Sequence, residues 1–163
     1  MGRSEAPLRR GDLEVDVLWP PSEGAKGLSR NDGSLVLRIT LGSSKILFAA
    51  DVGKEVEARL LEGPGPLAAD VLKVGHHGSR QSTTVDFLAA VSPSVAVISA
   101  PCDAARGLPN DAVLERLHSA GIVVGWTGRD GAVFFDPRQR SPSRLRRWAS
   151  TRRCSGRRED AAG

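Results

Sequence analysis

The chain has 163 residues, 40% apolar and 26% charged, the composition of one ordinary globular domain. Only 4% of residues are aromatic and tyrosine is absent, so the core must come from Val, Leu, Ile and Ala, which suits layered strands and helices of the α/β class. Residues 138–163 carry nine arginines against Glu159 and Asp160, a net of +7, and the total of +4 leaves −3 for the rest, so this is a mildly acidic body with a basic tail and not a uniformly basic chain.

Residues 1–11 form an N-terminal extension, after which the alternation in Leu13–Trp19 predicts a strand stopped by Pro20 and Pro21. A loop follows, ending in the turn residues Asn31, Asp32 and Gly33. Residues 34–40 and 45–50 predict a hairpin closed by 41–44, and the apolar spacing of Val56, Leu60 and Leu61 predicts a helix over 54–62, ended by Gly63 and Pro64. Residues 70–74 predict a strand running into Gly75-His76-His77-Gly78-Ser79, and Thr83 or Thr84 caps a helix through Val91. Residues 94–100 predict a buried strand. Asn110 or Asp111 caps a helix ended by Gly121, and strands at 122–126 and 132–135 are predicted to form a hairpin through Asp130-Gly131. Beyond Pro137, Ser, Arg and Gly dominate, predicting a disordered tail over 138–163.

Neither apolar run, 45–50 or 95–100, approaches the roughly 20 residues needed to span a bilayer. The sequence at Met1–Glu5 lacks the apolar run of a secretory leader, and localisation stays open. Cys102 and Cys154 make no C-x-x-C arrangement and suggest neither a zinc knuckle nor a disulfide framework.

Two histidines set among glycines at the end of a buried strand stand where open α/β sheets place ligand-binding loops, and their imidazoles are potential metal ligands. Asp51 also follows a strand and precedes a helix, which makes it either a helix cap or a metal-binding carboxylate. Asn31-Asp32-Gly33 reads equally as a turn or as the polar wall of a site. His118, on the last turn of a helix, reads as structural. No phosphate-wrapping glycine loop is present, because the glycine spacing around Lys54 does not fit one.

Four stretches carry a resemblance: 15–21, 31–38, 47–57 and Asp70-Val71-Leu72-Lys73-Val74-Gly75-His76-His77-Gly78-Ser79. In that order the chain resembles, from about residue 12 to 136, the C-terminal metallo-β-lactamase-like domain of the ComEC-type competence proteins, which import transforming DNA. The resemblance implies the second half of an αββα sandwich, over residues 12–137, borne in relatives on a bacterial inner-membrane protein. It implies one or two divalent ions, zinc or manganese, that activate water against DNA or another phosphodiester. Asp51 is the implied bridging carboxylate, His76 a ligand or proton shuttle, and His77 a further metal, second-layer or substrate group. Asn31 and Ser79 are the implied substrate-side groups.

The chain departs from the family pattern in three ways. The principal metal motif of the fold, H-x-H-x-D-H, belongs to its first half and is absent from these 163 residues, which hold three histidines. Gly107-Leu108-Pro109 stands where relatives carry Gly-His-Pro, and Ala50 where they carry glycine before the aspartate. A catalytic zinc needs about three protein ligands. The expectation is therefore a fragment, a split gene product or a decayed copy, with hydrolysis depending on an N-terminal half-domain as partner. A rival expectation is an inactive α/β module that binds DNA or a protein partner through its arginine tail.

Overall fold

The computed structural model describes residues 7–22, 24, 26–102, 107–136, 146–148 and 154. The chain is a mixed α/β fold built on one seven-stranded sheet: β1 (Leu8–Arg10), β2 (Leu13–Trp19), β3 (Val36–Leu41), β4 (Ser44–Phe48), β5 (Val71–Lys73), β6 (Val95–Ile98) and β7 (Val123–Trp126), in sequence order. The first four pair antiparallel and β4 through β7 pair parallel. Leu8–Arg10, in the extension upstream of the predicted domain, adds an edge strand to β2.

Each parallel step crosses over through a helix: α1 (Lys54–Glu62), α2 (Val85–Val91) and α3 (Asp111–Ser119). The caps lie where small polar residues put them: the Thr84 hydroxyl accepts from the Phe87 amide and the Asn110 side chain from the Ala112 amide. Parallel crossovers are right-handed, and the strand order advances in one direction, so all three helices fall on the same face.

Strand register separates the two faces. Leu47, Leu72, Ala96 and Val124 stand in one row across β4 to β7. They join Val56 and Leu60 of α1, Phe87 and Val91 of α2, and Val113 and Leu117 of α3 in one buried core. Burying such side chains stabilises by roughly 1.5–3 kcal/mol each. On β2 and β3 the same row continues as Asp16 and Arg38, which form a nearly buried ion pair at 2.9 Å.

The alternate residues form a second, largely apolar face: Val15, Leu37, Ile39, Ile46, Phe48, Val97 and Val123 among them. It is only partly covered. Val71 and Val95 are buried there, whereas Leu41, Phe48 and Val123 remain 40%, 37% and 38% exposed.

The predicted hairpin at Asp130-Gly131 does not form. Thr127–Asp130 coil into a single helical turn, α4, because the buried Asp130 carboxylate turns back to accept from the Trp126 amide at 2.8 Å and pairs with Arg129 at 2.9 Å. Gly131, at φ 73°, then redirects the chain, and β8 (Ala132–Phe134) pairs with β9 (Arg146–Trp148) instead of β7. Most of the arginine-rich segment 138–163 lies outside the described residues. Cys102 and Cys154, whose spacing suggests no disulfide framework, are bridged by a disulfide, their Cα atoms 5.0 Å apart. The fold brings together two residues 52 positions apart, which cysteine spacing alone does not reveal. Among the described residues no helix is long and apolar enough to cross a membrane.

Candidate functional site

The carboxyl ends of β2, β4, β5, β6 and β7 and the amino end of β3 share one edge of the sheet. The loops that follow or precede them therefore converge there, as in other open α/β sheets. Asp51 comes from the loop after β4, His76 and His77 from the turn Gly75–Gly78 after β5, and Asn31 and Ser34 from the loop before β3.

The first question left by the sequence is whether Asp51 caps α1. It does not. The cap position is Gly53, whose amide donates to Asp32 Oδ1 at 3.2 Å, while Lys54 donates to the Gln81 carbonyl at 2.7 Å. Asp32 thus anchors the cap residue while the Gln81 carbonyl takes the first helical amide, and the Asp32 loop is pinned by Ser29 Oγ at 2.7 Å and by Trp19 Nε1, which donates to the Asp32 carbonyl at 2.6 Å. The Asp51 amide donates to Ser34 Oγ at 3.1 Å, and that hydroxyl donates to the Asn31 carbonyl at 2.6 Å. The Asp51 carboxylate is left partly exposed and facing His77.

His77 is oriented from behind. Its Nδ1 lies 2.6 Å from the Ser99 carbonyl, which can only accept, so the ring proton sits on Nδ1 and Nε2 is the outward atom. Nε2 stands 3.5 Å from Asp51 Oδ1. Two donors each about 2.1 Å from one tetrahedral ion lie roughly 3.4 Å apart, so this pair has the spacing of two ligands of a single metal. His76 Nε2 instead meets Asn31 Nδ2 at 3.1 Å; with the amide donating, His76 keeps its lone pair on that atom and is tied to the β3 loop.

The turn that presents the two rings is under backbone strain. His76, His77 and Gly78 have φ of 47°, 55° and 79°, and Ala50 beside Asp51 has 48°. Left-handed non-glycine residues persist only where surrounding structure holds them, and they gather at functional sites. Gly78 is required as glycine for a second reason: a Cβ there would lie 2.7 Å from Pro109 Cβ.

The remaining sequence-selected residues fall out differently. Ser79 closes the turn through its amide, which donates to the His76 carbonyl at 2.9 Å, and its Oγ accepts from the Gln81 amide at 3.4 Å. Leu108 packs against the hydrophobic core, and His118 is exposed on α3. Among the described residues, no group of three or more His, Cys, Asp or Glu is arranged to hold a metal ion. Asp51 and His77 fit two ligand positions, and these residues alone do not complete a three-ligand site.

Sequence reasoning missed Lys73, half-buried at the end of β5 on the apolar face, with its ammonium 3.0 Å from the Val74 carbonyl. Burial lowers its pKa below the ordinary lysine value, and the nearby Asp51 charge partly opposes that shift. A lone charge within a predicted buried strand was the available signal.

No family model matches the chain. Among curated proteins it is 35% identical over 128 residues to "ComE operon protein 3" of Bacillus subtilis, covering 78% of this chain and 16% of that protein. It is 38% identical over 116 residues to "Competence protein ComA" of Neisseria gonorrhoeae, covering 71% and 17% respectively. The chain is homologous to a segment of competence-associated proteins. "Recombination protein 2" of Haemophilus influenzae is 35% identical over 111 residues, 66% of this chain and 14% of that protein. The chain thus spans about a sixth of the length of these curated relatives.

Proposed function

We propose that this chain supplies one half of a metal-dependent phosphodiester hydrolase site of the metallo-β-lactamase type, which a segment of fold outside these 163 residues completes. The observation that carries this reading is the Asp51–His77 pair, 3.5 Å apart at the carboxyl edge of the sheet, with the His77 tautomer set by the Ser99 carbonyl. The ion would be zinc or manganese, one or two in number, and it would lower the pKa of a bound water and offset phosphoryl charge.

In this reading Asp51 and His77 hold the ion, His76 stands beside them on Asn31, and Asn31 and Ser79 line the substrate side. The further ligands come from the missing segment. Support for such a segment comes from the second sheet face, where Leu41, Phe48 and Val123 stand open in the position a covering sheet would occupy in an αββα sandwich. DNA is the proposed substrate, on the strength of relatives named for competence and recombination.

The test is a nuclease assay on this chain joined to, or mixed with, a segment carrying H-x-H-x-D-H, in the presence of Mn²⁺, Zn²⁺ or Mg²⁺. Metal-dependent cleavage that disappears in Asp51→Ala supports the proposal. No cleavage with any of the three ions, together with salt-sensitive DNA binding that depends on 138–163, would replace it with an inactive module that binds through its basic tail.

A further inference from the structure

Behind the strained His76-His77 turn lies a buried polar brace. The Ser82 side chain is fully buried, and its hydroxyl lies 2.8 Å from the Gly75 carbonyl and 3.0 Å from the Ser79 carbonyl. These two carbonyls bracket the turn, one immediately before His76 and one immediately after Gly78, so a single proton is shared across the turn's two ends.

The chain at Ser82 is itself held by two helices, one of which, α3, also meets the turn directly where the amide of its cap residue Asn110 donates to the Gly78 carbonyl at 2.8 Å. Arg116 of α3 donates to the Ser82 carbonyl at 3.3 Å and also to the Thr83 carbonyl. Glu57 of α1, also fully buried, accepts from the Thr83 amide at 2.5 Å and the Thr84 amide at 2.8 Å. Thr83, at φ 55°, is the only non-glycine residue of this loop beyond the histidines in the left-handed region. A cation and an anion from separate helices thus grip two consecutive peptide groups, Ser82–Thr83 and Thr83–Thr84, and the Ser82 hydroxyl at their leading end reaches back to the turn that carries the histidines.

We infer that Ser82, whose carbonyl is held by Arg116 and whose following residues are held by Glu57, is a positioning residue that holds His76 and His77 in their left-handed turn and so keeps His77 Nε2 turned toward Asp51. Helix packing explains the contacts to Thr83 and Thr84, and the local turn in which the Ser82 amide donates to the Ser79 carbonyl at 3.0 Å explains the contact to Ser79, but neither explains why the buried hydroxyl is also spent on Gly75. Positive φ at two successive imidazole-bearing residues is uphill, and a bridge across the ends of the turn is what over-determines it. The consequence for metal affinity rests on the proposed function; the consequence for ring position does not.

The chain has three histidines, so side-chain ¹³C–¹H spectra of histidine-labelled protein read His76 and His77 separately, with exposed His118 as an internal control. In Ser82→Ala the His76 and His77 ring signals move or broaden while those of His118 stay, and Zn²⁺ affinity of the same sample falls about 10-fold or more, as loss of an outer support does at metal sites. Ring signals of His76 and His77 superimposed on wild type, even with a lowered melting temperature, overturn the inference. Glu57→Gln, read in the same way, provides the decision should Ser82→Ala not fold. No Zn²⁺ binding even when the chain is joined to a segment carrying H-x-H-x-D-H defeats the proposed function, while the ring displacements still decide the brace.

Discussion

Replacing Glu57 by glutamine isolates the anionic half of the brace. The carboxylate is fully buried and accepts two main-chain amides, from Thr83 and Thr84. Glutamine can keep one of these bonds through its carbonyl but turns an NH₂ toward the other amide, and a buried donor left unpaired costs about 1–3 kcal/mol. Loss of the carboxylate's desolvation offsets part of that, leaving a net destabilisation of about 1–2 kcal/mol at neutral pH. At roughly 2–4 °C per kcal/mol for a chain of this size, the melting temperature falls by about 2–8 °C.

The pH dependence has a definite sign. Burial raises the Glu57 pKa above its ordinary 4.5, against the lowering effect of the two amide bonds, of the Thr84 side chain and of Arg116. A carboxyl whose folded pKa is raised contributes stability that is fully present below its unfolded value and is lost as pH rises through the folded value. Glutamine has no such titration, so the gap between wild type and Glu57→Gln is widest near and below pH 4.5 and narrows as pH rises through the folded pKa of Glu57. Urea or thermal unfolding of both proteins across that range measures it. A gap that widens with rising pH, or a glutamine variant more stable than wild type at neutral pH, refutes the reasoning.

Reduction of Cys102–Cys154 releases a span of 52 residues; by chain entropy this removes about 4 kcal/mol of stability, a melting shift of roughly 8–16 °C. Melts with and without reductant measure the shift, and a non-reducing peptide map lacking the crosslink contradicts it. Phe48 and Val123 stand open on the second sheet face. The double substitution Phe48→Glu and Val123→Glu is therefore expected to reduce self-association of the isolated chain with little change in melting temperature. Light scattering that shows the same association in both proteins rules that face out as the sticky surface.

Much of the fold was legible in the sequence because its apolar periods are clean. The α1 helix and the caps Thr84 and Asn110 follow from local chemistry that the tertiary structure reinforces. The Asp130-Gly131 pair failed as a hairpin signal because the Asp130 carboxylate folds back on the Trp126 amide, a contact set by the buried position of Asp130 and not by the dipeptide. At the site, Asp51, His76, His77 and Asn31 were visible as residue types at strand ends. Their division of labour was not, since it depends on Gly53, anchored by Asp32, taking the cap position of α1 and on the Ser99 carbonyl turning His77. Ser82 and Glu57 gave no sequence signal at all: a serine in a turn and a glutamate on a helix are ordinary, and only burial and long-range hydrogen bonds distinguish them.

The central claim is that Asp51 and His77 are two ligands of a site that another segment completes, and calorimetric titration with Zn²⁺ tests it most directly. The account predicts weak binding by this chain alone, tight binding once it is joined to a segment carrying H-x-H-x-D-H, and loss of the gain in Asp51→Ala and in His77→Ala. Binding by the joined protein that neither substitution weakens, or no binding in the joined protein, contradicts it.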